Sequence, residues 1–240
     1  YRGSVLGVLW SFLTPLFMLA VFTYVFAVVF RSRWGDQGEA SLGEYALILF
    51  AGLTTFNLFA EVFGRSPLLV IAQPNLVKKV VFPLHVLPVV AMGSALFQAA
   101  ISFVVLLGFQ VVIGSGLHAA ALLIPLFIVP LCLLTLGVAW FLAALGVYVR
   151  DIGQLIPPLV TALMFFNPVF YPTSALPAWI RPLATYSPVA FSIETVREAV
   201  IFGRLPDAVS FAFATVAGVV VAFLGFAFFQ KTRKGFADVL

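Results

Sequence analysis

Apolar stretches separated by short polar or proline-rich connections dominate the chain. Six of them run over about 8–30, 44–62, 85–113, 119–147, 153–171 and 208–229. An α-helix needs roughly 20 apolar residues to cross a bilayer, so the pattern predicts an all-α membrane protein with six transmembrane helices. The first run carries no charge from Gly3 to Phe30 and places Trp10, Phe17 and Tyr24 at seven-residue intervals. The third and fourth runs are long enough to require tilt or short turns outside the bilayer. Between them Gly114-Ser115-Gly116-Leu117-His118 signals a tight loop. An even number of spans puts both termini on one side.

Two connections are long. In the first, Phe63 to Pro83, Ser66-Pro67 and Asn75 are helix starts, because Ser or Asn caps free amides and Pro suits a first turn. Short helices lying on the membrane surface are expected there. The second, Pro172 to Asp207, holds Pro172, Pro177, Pro182, Pro188 and Pro206, too many prolines for one continuous span. It nevertheless stays apolar, with Trp179, Ile180, Phe191, Val200, Ile201 and Phe202. Ser187-Pro188 starts a helix and Gly203 ends it. The expectation is an external re-entrant helical hairpin between spans five and six, packed on protein. Glu194, Arg197 and Glu198, at helical i, i+3, i+4 spacing, are expected to form one wet, paired face.

Composition removes the soluble alternative: 63% of the residues are hydrophobic and 9% charged, against roughly 45–50% and 25% in ordinary domains. One membrane domain over 1–240 accounts for the length, with no room for a soluble catalytic domain. The first run is too long for a signal peptide and lacks a small-residue cleavage site. The single cysteine, Cys132, reads as a small buried hydrophobe. Lys and Arg report orientation. Arg2, Arg65, Lys78, Lys79, Arg150, Lys231, Arg233 and Lys234 fall on one side, giving +5 after Glu61, Asp151 and Asp238. The other side holds Arg31, Arg33, Arg181, Arg197 and Arg204 and comes to −1. The positive-inside rule then places both termini in the cytoplasm, and basic residues used in this way carry no implication of nucleic acid.

What the chain lacks also bounds its chemistry. No Gly-Lys-Ser/Thr phosphate loop occurs. His85 and His118 lie on opposite sides, so together they make no metal site. No carboxylate sits mid-span, where ion-coupled transporters keep theirs; Glu61 comes nearest, with Arg65 four residues on. Energy for any transport is therefore expected from another chain. Trp10, Thr14, Phe17 and Tyr24 share a face at 100° per residue, opposite Phe12, Phe22, Phe26 and Phe30. Span five offers a second such face with Gln154, Pro157, Thr161, Phe165 and Pro168. Aromatic platforms with scattered hydroxyls suit sugars, which present C–H faces and hydroxyl rims. Helix packing and interfacial aromatic belts explain the same faces, and the residue pattern leaves both readings open.

Tyr1-Arg2-Gly3-Ser4-Val5-Leu6-Gly7-Val8-Leu9-Trp10-Ser11-Phe12-Leu13-Thr14-Pro15-Leu16 resembles the opening of permease subunits of bacterial ABC-type polysaccharide exporters, which move O-antigen, capsule or teichoic-acid chains. Asn75 to Pro83, Val149-Arg150-Asp151-Ile152-Gly153-Gln154, Asn167-Pro168-Val169-Phe170-Tyr171-Pro172, Tyr186-Ser187-Pro188 and Phe236 to Leu240 extend the resemblance in order along nearly the whole sequence. The resemblance implies a homodimer of six-span permeases with two cytoplasmic ABC ATPase subunits, which hold the ATP and Mg; no cofactor is expected on this protein. It implies that a lipid-anchored polysaccharide passes between protomers along spans one and five, past Trp10, Thr14, Phe17, Tyr24, Gln154, Thr161 and Phe165. Gln73, Pro74, Asn75, Lys78, Lys79, Arg150 and Asp151 would contact the ATPase. Trp179, Tyr186, Pro188, Glu194, Arg197 and Glu198 would form the external re-entrant gate. Tyr1 and Arg2 would end an amphipathic cytoplasmic helix that begins before residue 1. The expected location is the bacterial inner membrane.

Simpler accounts exist for the charged groups. Lys78-Lys79 would be drawn to anionic lipid at about 1 kcal/mol per charge, and Arg150-Asp151 could be a solvated turn pair worth roughly 0–1 kcal/mol. Two other functions compete. One is an ATPase-driven permease for drugs or lipids, whose members often carry a longer external domain. The other is an intramembrane lipid-linked sugar transferase, which needs an acid, base or metal cluster that Glu194, Glu198 and Asp207 scarcely supply.

Overall fold

A computed structural model describes residues 10–22, 24–25, 42–78, 82–114, 116–179, 181 and 187–239. Its helices are α1 (Trp10–Phe22), α2 (Leu42–Arg65), α3 (Pro74–Lys78), α4 (Val86–Val112), α5 (Ile124–Phe127), α6 (Val129–Tyr148), α7 (Ile152–Phe166), α8 (Pro188–Ile201), α9 (Ala208–Thr232) and α10 (Phe236–Val239). Short 3-10 turns at Ser66–Leu68, Ala119–Leu123, Thr173–Ala175 and Arg233–Gly235 join them. The protein is all-helical over the described residues.

Four helical stretches are long and apolar enough to cross a membrane: Gly43–Leu68, Val86–Val112, Ala119–Tyr148 and Ala208–Val239. They match the second, third, fourth and sixth predicted runs. The other two are shorter, since α1 is described over 13 residues and α7 over 15. At ~1.5 Å per residue α7 does not reach the ~30 Å of a hydrocarbon core. The first predicted span continues into residues that lie partly outside the described set. Helix α7 stops because Asn167 turns extended (ψ 152°) ahead of Pro168, as the residue before a proline tends to do.

Local signals set the other ends. Asp207 caps α9 by accepting from the Ser210 backbone N–H at 2.9 Å and from its hydroxyl at 3.0 Å. Ser187-Pro188 opens α8, and Gly203 at φ 65° reverses the backbone after it, a conformation glycine enters without steric cost.

Helix α2 is the axis of the molecule, packed by α4, α6 and α8 and touched by α1 and α7. Its Leu47, Ile48, Leu49, Phe56 and Leu58 meet Leu106, Leu131, Ile193, Val196 and Val200 in the main core. Helix α9 lies along α6, the most extensive helix pair among the described residues. Their backbones nearly touch, because a methyl added at Gly225 would overlap the Gly137 carbonyl. Small residues at such crossings let membrane helices gain dispersion contact. At one end of the bundle the 3-10 turn Ala119–Leu123 meets α8. At the other, Val70, Leu84, Val147, Phe229 and Phe236 form a second cluster.

Candidate functional site

The aromatic stripe predicted on the first span stands on uncovered surface. Trp10, Phe17 and Tyr24 are 43–66% exposed, and Thr14 is exposed beside them. On α7, Gln154, Thr161 and Phe165 are likewise exposed, and Ile156 is that helix's buried residue. Thr161 returns its hydroxyl to Pro157 O at 3.2 Å, so its polar demand is met within the helix. Phe165 packs its ring 5.5 Å from Phe170, and the Tyr171 hydroxyl donates to Phe165 O at 2.6 Å, fixing the end of α7. Exposure on α1 is not confined to one stripe, since Phe12, Leu13, Met18 and Val21 are also exposed. Both helices contribute to one cavity, through Thr14, Pro15 and Met18 of α1 and Met164 of α7.

At the basic end, three segments distant in sequence come together. Gln73, Pro74 and Asn75 are exposed at the start of α3, and Arg150 and Asp151 are exposed in the turn between α6 and α7. Lys78 is the last described residue of α3, and Lys79 lies outside the described residues. Gly146 of α6 admits the Pro67 carbonyl at close approach, and Leu68 comes within 3.7 Å of the position a Cβ would take on Gly153. The 66–68 turn is thereby seated against α6 and beside the Arg150-Asp151 turn. Glu61 pairs with Arg65 at 3.0 Å, as the i, i+4 spacing predicts.

At the opposite end the expected wet face of α8 is overturned. Arg197 is 1% exposed. Its Nε donates to Ile48 O of α2 at 3.1 Å, its Nη1 to Pro168 O at 2.5 Å and its Nη2 to Val169 O. The two Nη groups thus satisfy the Pro168 and Val169 carbonyls that the break after α7 strips of helical partners, while Nε ties them to α2; a guanidinium with five donors in a fixed fork suits that task. Gly52 makes the space, since a methyl there would overlap Nη2. Glu194 instead accepts from Thr173 through both its N–H, at 3.2 Å, and its hydroxyl, capping the 3-10 turn. Glu198 reaches Arg204 at 3.4 Å on the surface. One helical stripe therefore does three separate jobs. Trp179 is 80% exposed, Pro188 begins α8, and Tyr186 lies outside the described residues. His118 serves this end too, with Nδ1 facing Val200 O at 3.2 Å. Among the described residues no group of three His, Cys, Asp or Glu could hold a metal.

The profile of the ABC-2 type transporter family matches residues 1–201. The chain belongs to that family. Similar proteins include the O-antigen export system permease protein RfbA of Klebsiella pneumoniae, 28% identical over 244 residues, covering 100% of this chain and 90% of that protein. RfbA of Myxococcus xanthus is 28% identical over 240 residues, covering 99% and 89%. The polysialic acid transport protein KpsM of Escherichia coli is 22% identical over 231 residues, covering 95% and 86%.

As an ABC-2 family member the protein is a multi-pass membrane protein of apolar helices, and the packing of one part of its basic end could not be read from its motif. Phe236 is buried, stacked edge-on against Phe229 at 5.5 Å and near Tyr148 at 5.9 Å. The Tyr148 hydroxyl donates to Thr232 O at 2.7 Å. Helix α10 thus tucks back against α6 and α3, bracing the surface that holds Gln73 to Asn75. The signal was a lone Phe two residues past the Lys231–Lys234 cluster, meaningful only once its distant neighbours are known.

Proposed function

We propose that this protein is the transmembrane subunit of an ATP-driven exporter that carries a lipid-anchored polysaccharide across the bacterial inner membrane. The observation that carries the reading is similarity, over nearly the full length of both proteins, to O-antigen and polysialic acid permeases. The uncharged aromatic and hydroxyl-bearing surfaces of α1 and α7 support it. They offer sugar units aromatic platforms for their C–H faces and weak hydrogen bonds, without an ionic trap. Two copies of the protein would face each other across these surfaces, so that Trp10, Thr14, Phe17, Tyr24, Gln154, Thr161 and Phe165 line a shared passage.

In this reading the protein spans the membrane six times with both termini in the cytoplasm. The segment 172–207 re-enters from outside beside the exit. Two copies of a separate ABC ATPase, holding ATP and Mg, dock on Gln73 to Lys79 and on Arg150-Asp151, and the permease itself performs no chemistry. The test is export. Phe17→Ala, Tyr24→Ala and Phe165→Ala should each lower surface polysaccharide while the permease still co-purifies with its ATPase. Undiminished surface polysaccharide in all three variants would overturn the assignment of the passage. Failure of the wild-type permease to recover any ATPase would overturn the coupling.

A further inference from the structure

A cavity of about 520 Å³ lies between α1, α2 and α4 within one protomer, with Met164 of α7 at its edge. That volume falls within the ~300–1,000 Å³ of small-molecule pockets. The passage proposed above runs between protomers and shares only Thr14 with this cavity. Its polar lining is Thr14, Thr54, Asn57, Glu61, Gln98 and Ser102. On α2, Thr54, Asn57 and Glu61 follow one another at helical spacing, so they run about 10 Å along one side of the helix.

Thr54 shows that the cavity is built for something. Several hydroxyls in these helices bond back to the carbonyl four residues earlier: Thr55 to Ala51 at 2.9 Å, Ser102 to Gln98 at 3.1 Å, Thr135 to Leu131 at 2.6 Å and Thr215 to Phe211 at 2.7 Å. Ser192 of α8 is buried without such a bond, as Thr54 is, but it is not among the residues that line this cavity. Thr54 is 3% exposed, lines the cavity, and its Oγ1 finds no partner among the described residues. A buried, unsatisfied hydroxyl costs about 1–3 kcal/mol, so water or a ligand must meet it. One turn on, Asn57 is exposed although Phe56 and Leu58 on either side are 1% and 2% exposed. Its carboxamide opens into the same space.

Charge narrows the ligand. Among the described residues no Lys or Arg lines the cavity, and Glu61 is already paired with Arg65. A phosphate or carboxylate would enter without a counter-charge. A bare acyl tail would leave Thr54 and Asn57 unsatisfied. The remaining lining is hydrocarbon from Pro15, Met18, Leu53 and Leu58, so the occupant needs apolar faces as well as hydroxyls. We infer that this cavity binds an uncharged sugar ring, held by Thr54 and Asn57 from α2 with Gln98 opposite. The ring would come from a polysaccharide end or from the head of a glycolipid; the chemistry recognised is the same. The choice of a sugar over another polyol rests on the exporter reading, and the binding does not.

The test uses the full-length protein in nanodiscs of phosphatidylethanolamine and phosphatidylglycerol, illuminated with an alkyl β-glucoside bearing a diazirine. Label should map to peptides containing Thr54 to Glu61 or Gln98 to Ser102. Thr54→Val combined with Asn57→Leu should reduce it at least about tenfold, since it removes two contacts and each hydrogen bond contributes up to about tenfold, whereas Thr54→Ser retains it. Thr54→Val alone should keep or raise the melting temperature, since it removes an unsatisfied group. Met18→Trp, which fills the cavity from the opposite wall, should abolish labelling and serves if the double variant fails to fold. Competition by soluble maltohexaose assigns the site to a polysaccharide end, and competition by unlabelled alkyl glucoside alone assigns it to a glycolipid head. Unchanged labelling in Thr54→Val/Asn57→Leu or Met18→Trp, or equal competition by alkyl phosphate, overturns the site. The assay needs neither ATPase nor export. A protein that exports polysaccharide without taking the label sinks the cavity alone, and one that takes the label without exporting sinks the exporter reading alone.

Discussion

Helices α2 and α9 have nearly equal lengths, 24 and 25 residues, yet they occupy opposite environments. The most apolar stretch of α2 is 83% buried in protein, that of α9 only 17%. Helix α9 is nevertheless the more apolar of the two. In water this order would be reversed. In a bilayer, lipid tails solvate Val and Phe as well as protein does, so hydrophobicity does not decide which helix goes inside. Small and polar residues decide it. Helix α2 carries Gly52, Thr54, Thr55 and Asn57, whereas α9 turns Val209, Phe213, Val216, Val220 and Phe223 outward and keeps Gly218 and Gly225 for α6.

The sharpest way to break that contrast is at Arg197. Arg197→Met should leave the carbonyls of Pro168 and Val169 without their donors, at about 1–3 kcal/mol for each orphaned group, and should also cut the tie to Ile48 O on α2. Gly52→Leu should do comparable damage by expelling the guanidinium. Thermal unfolding in detergent checks both; a stable Arg197→Met protein would mean that α8 is not pinned in this way. On the outer pair, Gly225→Leu should cost about 1–3 kcal/mol by forcing α9 off Gly137, whereas Val220→Leu, on the exposed side of the same helix, should be silent. Equal effects of the two would remove the argument from close approach.

Smaller effects sharpen the comparison. Phe17→Ala and Phe165→Ala should change stability by no more than about 0.5 kcal/mol, as expected of exposed sites, while reducing export. A large loss of stability would show that these side chains are covered within the protomer. The smallest effect belongs to the cap of α9. The Ser210 backbone N–H, and then its hydroxyl, hold the Asp207 carboxyl below the usual carboxylate range. With a depressed folded-state value, the contribution is present above the unfolded carboxylate pKa and fades as pH falls through the folded one. Asp207→Ala should therefore slightly lower the melting temperature at neutral pH and leave it unchanged in strong acid. A deficit that persists unaltered in acid would rule out the ionised cap.

Most of the elements were legible because they are written locally. The Ser187-Pro188 start of α8 and the reversal at Gly203 each depend on a few adjacent residues, whereas the stop before Pro168 was missed, because the apolar run continues to Tyr171 while the helix ends at Phe166. The stripe Glu194, Arg197 and Glu198 was misread as a wet face because charge spacing on one helix does not say which neighbours it meets. Phe236 entered the reading only through the family resemblance, which did not say what it packs against, and Thr54 carried no local signal at all, being one threonine of an adjacent pair.

Composition and run lengths were enough to make this a helical membrane protein and to locate four of its long apolar helices. The tertiary structure alone decided that Arg197 is buried, that Gly52 exists to admit it, and that Thr54 faces a cavity while Thr55 faces its own helix. The reason is range. Helix formation and capping act over about four residues, whereas Arg197 reaches Ile48 across 149 positions of sequence. In a bilayer, hydropathy cannot tell which face of an apolar helix meets protein and which meets lipid.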